Sequence, residues 1–231
     1  ALALSGDGNV LAVAAPDANY VQVYRFDVAQ NQWLPLGDQM VDSQSGDSHF
    51  GYSLAFNADA SVLAIGAPNA DRCVGVACQS GGGAVMLYQS VADNTEQGSY
   101  NWLPIKRLQG SAANQDFGKQ VVLSGRGDRL VVLSTPSGSN PANSVQTFDR
   151  TAVDWTHDSS QDISGGGDQL ALSADAETLV VGISAFSGGL GAVKIYHYDS
   201  TSTGWINQTT ETGHVSGENL GASVAVSSDG R

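Results

Sequence analysis

The fold is decided by residues 49–68, HFGYSLAFNADASVLAIGAP. A largely apolar run at 52–56 and a second apolar run at 62–67 flank the short polar turn NADAS. Two such runs around a turn rich in Asp and small residues predict a β-hairpin. Ala and Gly between branched residues in the second run suit a strand that is buried on both faces. Pro68 then ends that strand, because proline cannot continue a hydrogen-bonded ladder.

The same hairpin occurs five times along the chain. Its turn reads SGDGN, NADAS, SGRGD, SADAE and SSDGR in successive copies, and the first residues of these turns are Ser5, Asn57, Ser124, Ser173 and Ser227. These positions recur at intervals of roughly 50 to 67 residues, close to the length of a propeller blade. Pro16 and Pro136 are predicted to end the second strand in two further copies.

A second block follows each of the first four hairpins. It contains an aromatic residue near the end of a third strand, a variable polar loop, and a tryptophan in a fourth strand. The aromatic residues are Tyr24, Tyr88, Phe148 and Tyr196, and the tryptophans are Trp33, Trp102, Trp155 and Trp205. We interpret the tryptophans as packing between neighbouring blades. The alternative is a ring of platforms on which sugar rings stack.

These repeats predict an all-β fold, a β-propeller with four-stranded antiparallel blades, over residues 1–231 as a single region. The four complete repeats and the start of a fifth are 1–48, 49–115, 116–164, 165–218 and 219–231. Closed propellers hold about four to eight blades, so we expect a fragment of a larger propeller, with a compact ring of four or five blades as the alternative. The 28 glycines and the low share of charged residues, 14%, also favour strands over helices.

The charge of the chain limits its partners. Ten basic and 23 acidic residues give a formal charge of −13, which repels nucleic acid and anionic membrane surfaces. No run approaches the roughly 18 apolar residues that span a bilayer, so direct membrane insertion is not expected. The chain opens without a starting Met or a charged leader, and we expect any signal segment to lie outside it. Proteins and glycans remain as partners, including copies of the chain itself.

Cys73 and Cys78 lie in the loop NADRCVGVACQSGGG, residues 69–83, which lengthens the second repeat. Small residues let this loop fold back, so a disulfide is feasible, with two free thiols as the alternative and a zinc site as a weaker one. Asn207 begins the N-glycosylation acceptor NQT. Both features favour an extracellular or cell-surface location. The loop at 69–83 is also where a binding contact is expected, because loops often carry function.

Residues 49–68 resemble the FG-GAP repeat, which builds the seven-bladed propeller of integrin alpha chains and many secreted bacterial and algal proteins. The matching letters are the pair Phe50-Gly51 and the triplet Gly66-Ala67-Pro68. The third copy keeps Phe117-Gly118 but has Ser-Thr-Pro in place of the triplet, and the later copies keep Gly167 and Gly221 without the Phe. The whole pattern is more similar to bacterial and microalgal repeat proteins than to integrins. The resemblance implies a propeller with a role in adhesion or recognition.

Integrin-type blades often carry a calcium loop, because calcium requires six or more converging oxygens. Each turn here offers only one or two carboxylates. We therefore interpret the turn aspartates as turn formers and predict no metal and no cofactor. These residues are Asp7, Asp59, Asp128, Asp175 and Asp229.

The sequence predicts no catalytic residue. The four histidines lack metal-pair spacing, GISAF around Ser184 lacks the second Gly of a nucleophile elbow, and FSGGLGA at 186–192 lacks the Lys of a phosphate loop. The favoured function is an extracellular adhesion or recognition module that binds protein or glycan through blade loops. A structural building block of a surface assembly is the first alternative, and a propeller-type hydrolase is the second.

The tripeptide Arg126-Gly127-Asp128 resembles the adhesion motif of extracellular matrix proteins. It aligns with the hairpin turn of the other copies, so we interpret it as a product of turn chemistry. A hairpin tip could also display a working adhesion motif, which stays as the alternative.

Overall fold

The computed structural model describes residues 1–42, 46, 48–74, 77–92, 100–135, 144–202 and 204–231. Its described residues form an all-β chain of antiparallel sheets, as predicted. Four main sheets follow one another along the chain, and each is built from one of the four complete repeats. We call these sheets blades one to four.

Blade one contains β1 (Leu2–Leu4), β2 (Val10–Ala15), β3 (Tyr20–Asp27), β4 (Gln32–Pro35) and β5 (Met40–Val41). Blade two contains β6 (Ser53–Phe56), β7 (Val62–Ala67), β10 (Ala84–Ala92) and β11 (Tyr100–Gln109), and the separate hairpin β8 (Arg72–Val74) and β9 (Ala77–Gln79) precedes β10. Blade three contains β12 (Gln120–Leu123), β13 (Arg129–Ser134), β14 (Ser144–Arg150), β15 (Trp155–His157) and β16 (Ile163–Ser164). Blade four contains β17 (Gln169–Leu172), β18 (Thr178–Ile183), β19 (Ala192–Asp199) and β20 (Gly204–Thr212). Short helical turns occur at Pro16–Ala18, Ser159–Gln161 and Phe186–Gly189.

The outer strand of each blade differs in continuity. In blades two and four the outer strand is continuous. Its pairing with the third strand shifts by one residue between Leu87 and Tyr88 in blade two and between Ile195 and Tyr196 in blade four, and each shift is a β-bulge. In blades one and three the chain instead leaves the sheet after β4 or β15 and returns as β5 or β16 to pair with the third strand. The outer rim is therefore interrupted in alternate blades.

The hairpin turns are held by side chains that accept backbone hydrogen bonds. Ser5 Oγ accepts from the Val10 amide at 2.9 Å, and Asn57 Oδ1 accepts from the Val62 amide at 2.8 Å. Ser5 Oγ in turn donates to the carboxylate of Asp7 at 2.6 Å. The equivalent hydroxyls of Ser124, Ser173 and Ser227 donate to Asp128, Asp175 and Asp229. The aspartates thus act as local acceptors in the turns, as the sequence predicts.

Gly66 of blade two and Gly118 of blade three allow these two blades to approach closely. Gly118 has φ of +93°, and Gly51 and Gly221 have similar values. A Cβ on Gly66 would lie 2.1 Å from the carbonyl oxygen of Gly118, so neither position tolerates a side chain without movement. In blade three the residue that corresponds to Gly66 is Leu133, because Leu133 pairs with Gln120 as Gly66 pairs with Ser53. Gly167 of blade four, which corresponds to Gly118, does not adopt a left-handed backbone. The close approach is therefore absent at that boundary.

The second strands of blades two, three and four lie in the core, and every residue of β7 is buried. The first strands lie side by side around an open depression lined by Leu2–Leu4, Leu54–Phe56, Val121–Leu123 and Leu170–Leu172, together with residues Val224–Val226 of the fifth repeat. Pro16 and Pro68 directly follow β2 and β7, as predicted. Pro136 lies outside the described residues.

Three of the four tryptophans pack against the preceding blade. Trp102 Nε1 donates to the Leu36 carbonyl at 3.1 Å, and Trp205 Nε1 donates to Thr147 Oγ1 at 2.9 Å. Trp155 is buried in a cluster with side chains of blade two. Trp33 is 39% exposed, because no described blade precedes blade one, and it packs only against Phe26 of its own blade among the ring contacts. The packing interpretation therefore holds for three of the four positions.

Candidate functional site

A groove lies at the boundary of blades one and two. It has a volume of about 670 Å³. One wall is the chain segment 38–42 of blade one, which includes β5. The other wall is residues 101–107 of β11, and Met86 and Tyr88 of β10 lie at its base. The interrupted outer strand of blade one thus faces the continuous outer strand of blade two.

A tight turn at Leu36-Gly37 fixes the distance between these walls. Gly37 has φ of +78°, and a Cβ there would lie 2.5 Å from the carbonyl oxygen of Tyr100. The Gly37 carbonyl accepts a hydrogen bond from Gln22 Nε2 at 3.1 Å. This bond lies within blade one and holds the turn, and the bond from Trp102 Nε1 to the Leu36 carbonyl joins the turn to β11. Glycine is required here by both the backbone conformation and the close approach.

Ion pairs hold the charged groups of the groove. Asp42, which is 9% exposed, accepts a hydrogen bond from Arg107 at 3.3 Å. Lys106 contacts Asp154 of blade three at 2.6 Å, and this bond holds the pKa of the Asp154 carboxyl below its usual range. Burial raises the pKa of Tyr88, and the negative charge of Asp42 adds to this effect. The two cations therefore connect three consecutive blades.

The rim of the groove is aliphatic. Leu103 is 49% exposed, Ile105 is 39% exposed, and Val41 of the segment 38–42 is 53% exposed. In a regular strand alternate side chains would point inward. The bulge leaves Ile105 without a paired residue on β10, so Leu103, Pro104 and Ile105 are all exposed in sequence. Three consecutive exposed apolar residues are unusual unless they serve binding.

At the boundary between blades three and four, the position equivalent to Asp38 is buried. Ile163 pairs with Val145 as Met40 pairs with Val21, so Gln161, two residues before β16, corresponds to Asp38, two residues before β5. Gln161 is only 6% exposed, whereas Asp38 is exposed and lines the groove.

The structure confirms the disulfide between Cys73 and Cys78, which are directly opposed across the hairpin β8–β9. Gly75 and Val76 of this loop lie outside the described residues. Asn207 is exposed on the outer strand of blade four, where its side chain donates to Thr210 Oγ1 at 3.3 Å. Neither the disulfide nor Asn207 lines the groove. Sequence reasoning missed the groove itself, although the consecutive apolar residues of WLPIK at 102–106 were a signal for it.

The residues considered for catalysis are dispersed. Ser184 Oγ donates to Asp168 at 2.6 Å, and His157 contacts Asp162 at 2.8 Å on a different blade. Within the part of the chain that the structure describes, no group of three or more His, Cys, Asp or Glu residues is arranged to hold a metal ion. No helix in the described ranges is long and apolar enough to cross a membrane.

The tripeptide 126–128 forms the turn between β12 and β13, as predicted. Gly127 is buried against the side chain of Asn57 and has φ of +70°. The Asp128 carboxylate accepts from Ser124 Oγ at 2.7 Å, and the Asp128 carbonyl accepts from the Arg150 amide at 2.7 Å. Only Arg126 and the Asp128 side chain are exposed.

No protein-family profile and no curated protein matches the chain. Solved structures resemble it, including a protein provisionally named a 6-phosphogluconolactonase from Bacteroides fragilis, with a TM-score of 0.62 at 14% identity over 92% of this chain and 54% of that one. A protein from Lactobacillus plantarum gives 0.62 at 19% identity over 96% and 56%. A second protein with the provisional lactonase name, from Bacteroides uniformis, gives 0.60 at 12% identity over 92% and 57%.

At such low identity these likenesses show the fold alone, which is of the β-propeller type. The chain spans a little over half the length of the three structures. Within that scaffold, the chain contributes successive antiparallel blades, which have the predicted four strands in blades two and four and a short fifth strand in blades one and three.

Proposed function

We propose that the chain is a non-catalytic recognition module of an extracellular or cell-surface protein. In this proposal it supplies four blades and the start of a fifth repeat to an FG-GAP-type propeller, and it binds a protein or glycan partner. The groove between blades one and two is the binding site. The observation that carries the proposal is the open groove of about 670 Å³, whose lining includes the exposed residues Leu103, Pro104, Ile105 and Val41.

Two observations support binding over catalysis. The depression at the first strands, which corresponds to the central channel of a propeller, is lined by Leu, Ala, Val and Phe residues, none of which has a titratable side chain. Every resolved pKa shift of a carboxyl in the described residues is downward, whereas a general acid requires a raised pKa. The disulfide supports an oxidising location.

The test compares wild type with Leu103→Lys on a protein array and a glycan array. The expected result is at least one ligand that binds wild type and loses about tenfold or more in affinity with the variant. Ile206→Lys is the matched control, because Ile206 is 44% exposed on the outer strand of blade four. A ligand that binds both variants equally would refute the groove as the site. Binding of no ligand on either array would favour a structural building block. Turnover of a sugar lactone lost on mutation of a channel residue would favour the hydrolase.

A further inference from the structure

We infer that the chain binds a small zwitterion of the α-amino acid type, a molecule with one carboxylate and one ammonium group. The site is a cavity at the mouth of the depression between the first strands. In this assignment Lys119 binds the carboxylate of the ligand and Asp168 binds its ammonium group. The inference goes beyond the proposed function, because the cavity and the groove between blades one and two share no lining residue.

The cavity lies where the four first strands begin. Each of these strands contributes its first residue to the lining, namely Leu2, Ser53, Gln120 and Gln169. The volume is about 310 Å³. Sites for small molecules generally occupy about 300–1,000 Å³. The cavity therefore suits a ligand at the small end of this range.

The residue directly before the first strand differs in chemistry from one repeat to the next. It is Tyr52 in blade two, Lys119 in blade three and Asp168 in blade four, and all three line the cavity. The hairpin turns, in contrast, keep an aspartate in every repeat, because the turn requires an acceptor there. The repeated fold thus does not dictate the residue before the first strand. An aromatic ring, a cation and an anion brought to one cavity indicate a role in binding instead.

The two charges in the cavity are not paired with each other. No carboxylate of the described residues lies within ion-pair distance of the Lys119 ammonium group. Asp168 Oδ2 accepts hydrogen bonds from the Ser184 amide at 2.9 Å and from Ser184 Oγ at 2.6 Å. These bonds orient the carboxylate and leave Oδ1 for a ligand. Because Lys119 and Asp168 are both half-buried, a bound ligand with one group of each charge would stabilise both.

The other polar side chains of the cavity are held in place by the protein. The ring of Tyr52 lies nearly parallel to that of His49, with 6.4 Å between the ring centroids and 11° between the planes. Tyr52 is still 46% exposed, so its ring is accessible to the ammonium group or the side chain of a ligand. Gln120 bonds to the backbone of Leu170 through both ends of its amide, at 2.7 and 3.2 Å. The cavity is therefore ordered before a ligand binds.

The charges favour a zwitterion over a simple anion or cation. A chain with a formal charge of −13 repels anions at long range. An acidic sugar would satisfy Lys119 but would bring a second carboxylate close to Asp168, and a simple cation would be repelled by Lys119. A zwitterion has no net charge, so it avoids the long-range repulsion and satisfies both residues.

The probes are the L-α-amino acids of proteins, titrated one at a time into the 231-residue chain by isothermal titration calorimetry, with glucuronate as an acidic sugar for comparison. Each amino acid that binds is tested again as its N-acetyl form and as its carboxamide, which remove the ammonium and the carboxylate charge. The variants are Lys119→Met and Asp168→Asn. Lys194→Met is the matched control, because Lys194 is also half-buried but lies on β19, outside the cavity. A thermal melt of each variant verifies that it folds.

At least one amino acid is expected to bind. Its affinity should fall about tenfold or more when either charge of the ligand is removed, and by a similar factor with Lys119→Met or Asp168→Asn but not with Lys194→Met. In Lys119→Met the carboxamide should bind as well as the free acid, since the partner of the carboxylate is gone; a merely structural role of Lys119 would not produce this result.

Three outcomes would overturn the inference. The first is that no amino acid binds to wild type. The second is that the blocked forms bind as tightly as the free amino acid, a result that does not depend on the folding of any variant. The third is that glucuronate binds more tightly than any amino acid and is lost with Lys119→Met, which would indicate a site for acidic sugars. None of these outcomes bears on the groove, which Leu103→Lys tests separately.

Discussion

The amide nitrogen of Ala58 lies 2.9 Å from the carbonyl oxygen of Gly125, which occupies the same turn position in the next blade. The same bond joins the turns of all five repeats in succession. Its members are Gly6 to Ala58, Ala58 to Gly125, Gly125 to Ala174, and Ala174 to Ser228, at 2.8–3.0 Å. The second residue of each hairpin turn therefore donates to its counterpart one repeat further on. A small residue is found there in every repeat because the turns approach each other so closely.

This series of bonds predicts that Gly125→Val destabilises the chain more than Gly125→Ala does. A Cβ on Gly125 would lie 2.9 Å from the Cβ and 3.0 Å from the carbonyl oxygen of Ala174, so alanine already requires Ala174 to shift, and valine adds two methyl groups to this contact. We expect Gly125→Val to lower the free energy of unfolding by about 1–3 kcal/mol. Urea denaturation measures the effect. Gly204→Val is the control, since its nearest neighbouring atom is 3.9 Å from the added Cβ; equal losses in the two valine variants would contradict the prediction.

A second prediction compares two tryptophans with similar burial. Trp102 and Trp155 are 7% and 6% exposed, but Trp102 Nε1 donates to Leu36 and Trp155 Nε1 has no acceptor in the described structure. Replacement by Phe removes a hydrogen bond at Trp102 and removes only an unsatisfied donor at Trp155. We expect Trp102→Phe to lower the free energy of unfolding by at least about 1 kcal/mol more than Trp155→Phe does. Chemical denaturation of both variants tests this, and a greater loss for Trp155→Phe would show that its indole nitrogen is hydrogen bonded.

The repeated hairpins, the antiparallel blades and the disulfide were predictable because each depends on residues close in sequence, whereas the short fifth strand of blades one and three was not predicted. Asp7 contacts Ser5 and Asn9, and Cys73 contacts Cys78 within one loop. The groove was not predictable in this way. It depends on the contact between Asp42 and Arg107, which are 65 residues apart and belong to neighbouring blades. It also depends on a bulge at Ile105, which no Gly, Asn or other turn residue in the strand predicts. The loss of the close glycine contact where Leu133 replaces the equivalent of Gly66 was likewise not predictable, because it depends on the packing of two blades.

A third prediction concerns acid. The hydroxyl of Ser5 and the backbone and side chain of Asn9 donate to Asp7, and these bonds lower the pKa of its carboxyl from 3.8 to about 2. Because the pKa is lower in the folded state, the stabilisation is present above pH 3.8 and is lost as the pH falls through about 2. Carboxyl titration by NMR should show Asp7 half-protonated near pH 2. Ser5→Ala should raise that midpoint, since Ser5 makes the largest contribution; an unchanged midpoint would contradict the assignment.

The last prediction concerns Arg126-Gly127-Asp128. Gly127 is packed against Asn57, and the Asp128 carboxylate is bound to Ser124, so the tripeptide is held as part of a turn. We expect Asp128→Ala to cost about 0.5–1.5 kcal/mol of stability, because Ser124 loses an acceptor, and Arg126→Ala to leave stability unchanged. In an attachment assay on surfaces coated with the chain, cells should adhere equally to wild type and to Asp128→Glu. This substitution keeps the negative charge but lengthens the side chain. Attachment to wild type that Asp128→Glu abolishes, with the melting temperature unchanged, would show instead that the turn displays a working adhesion motif.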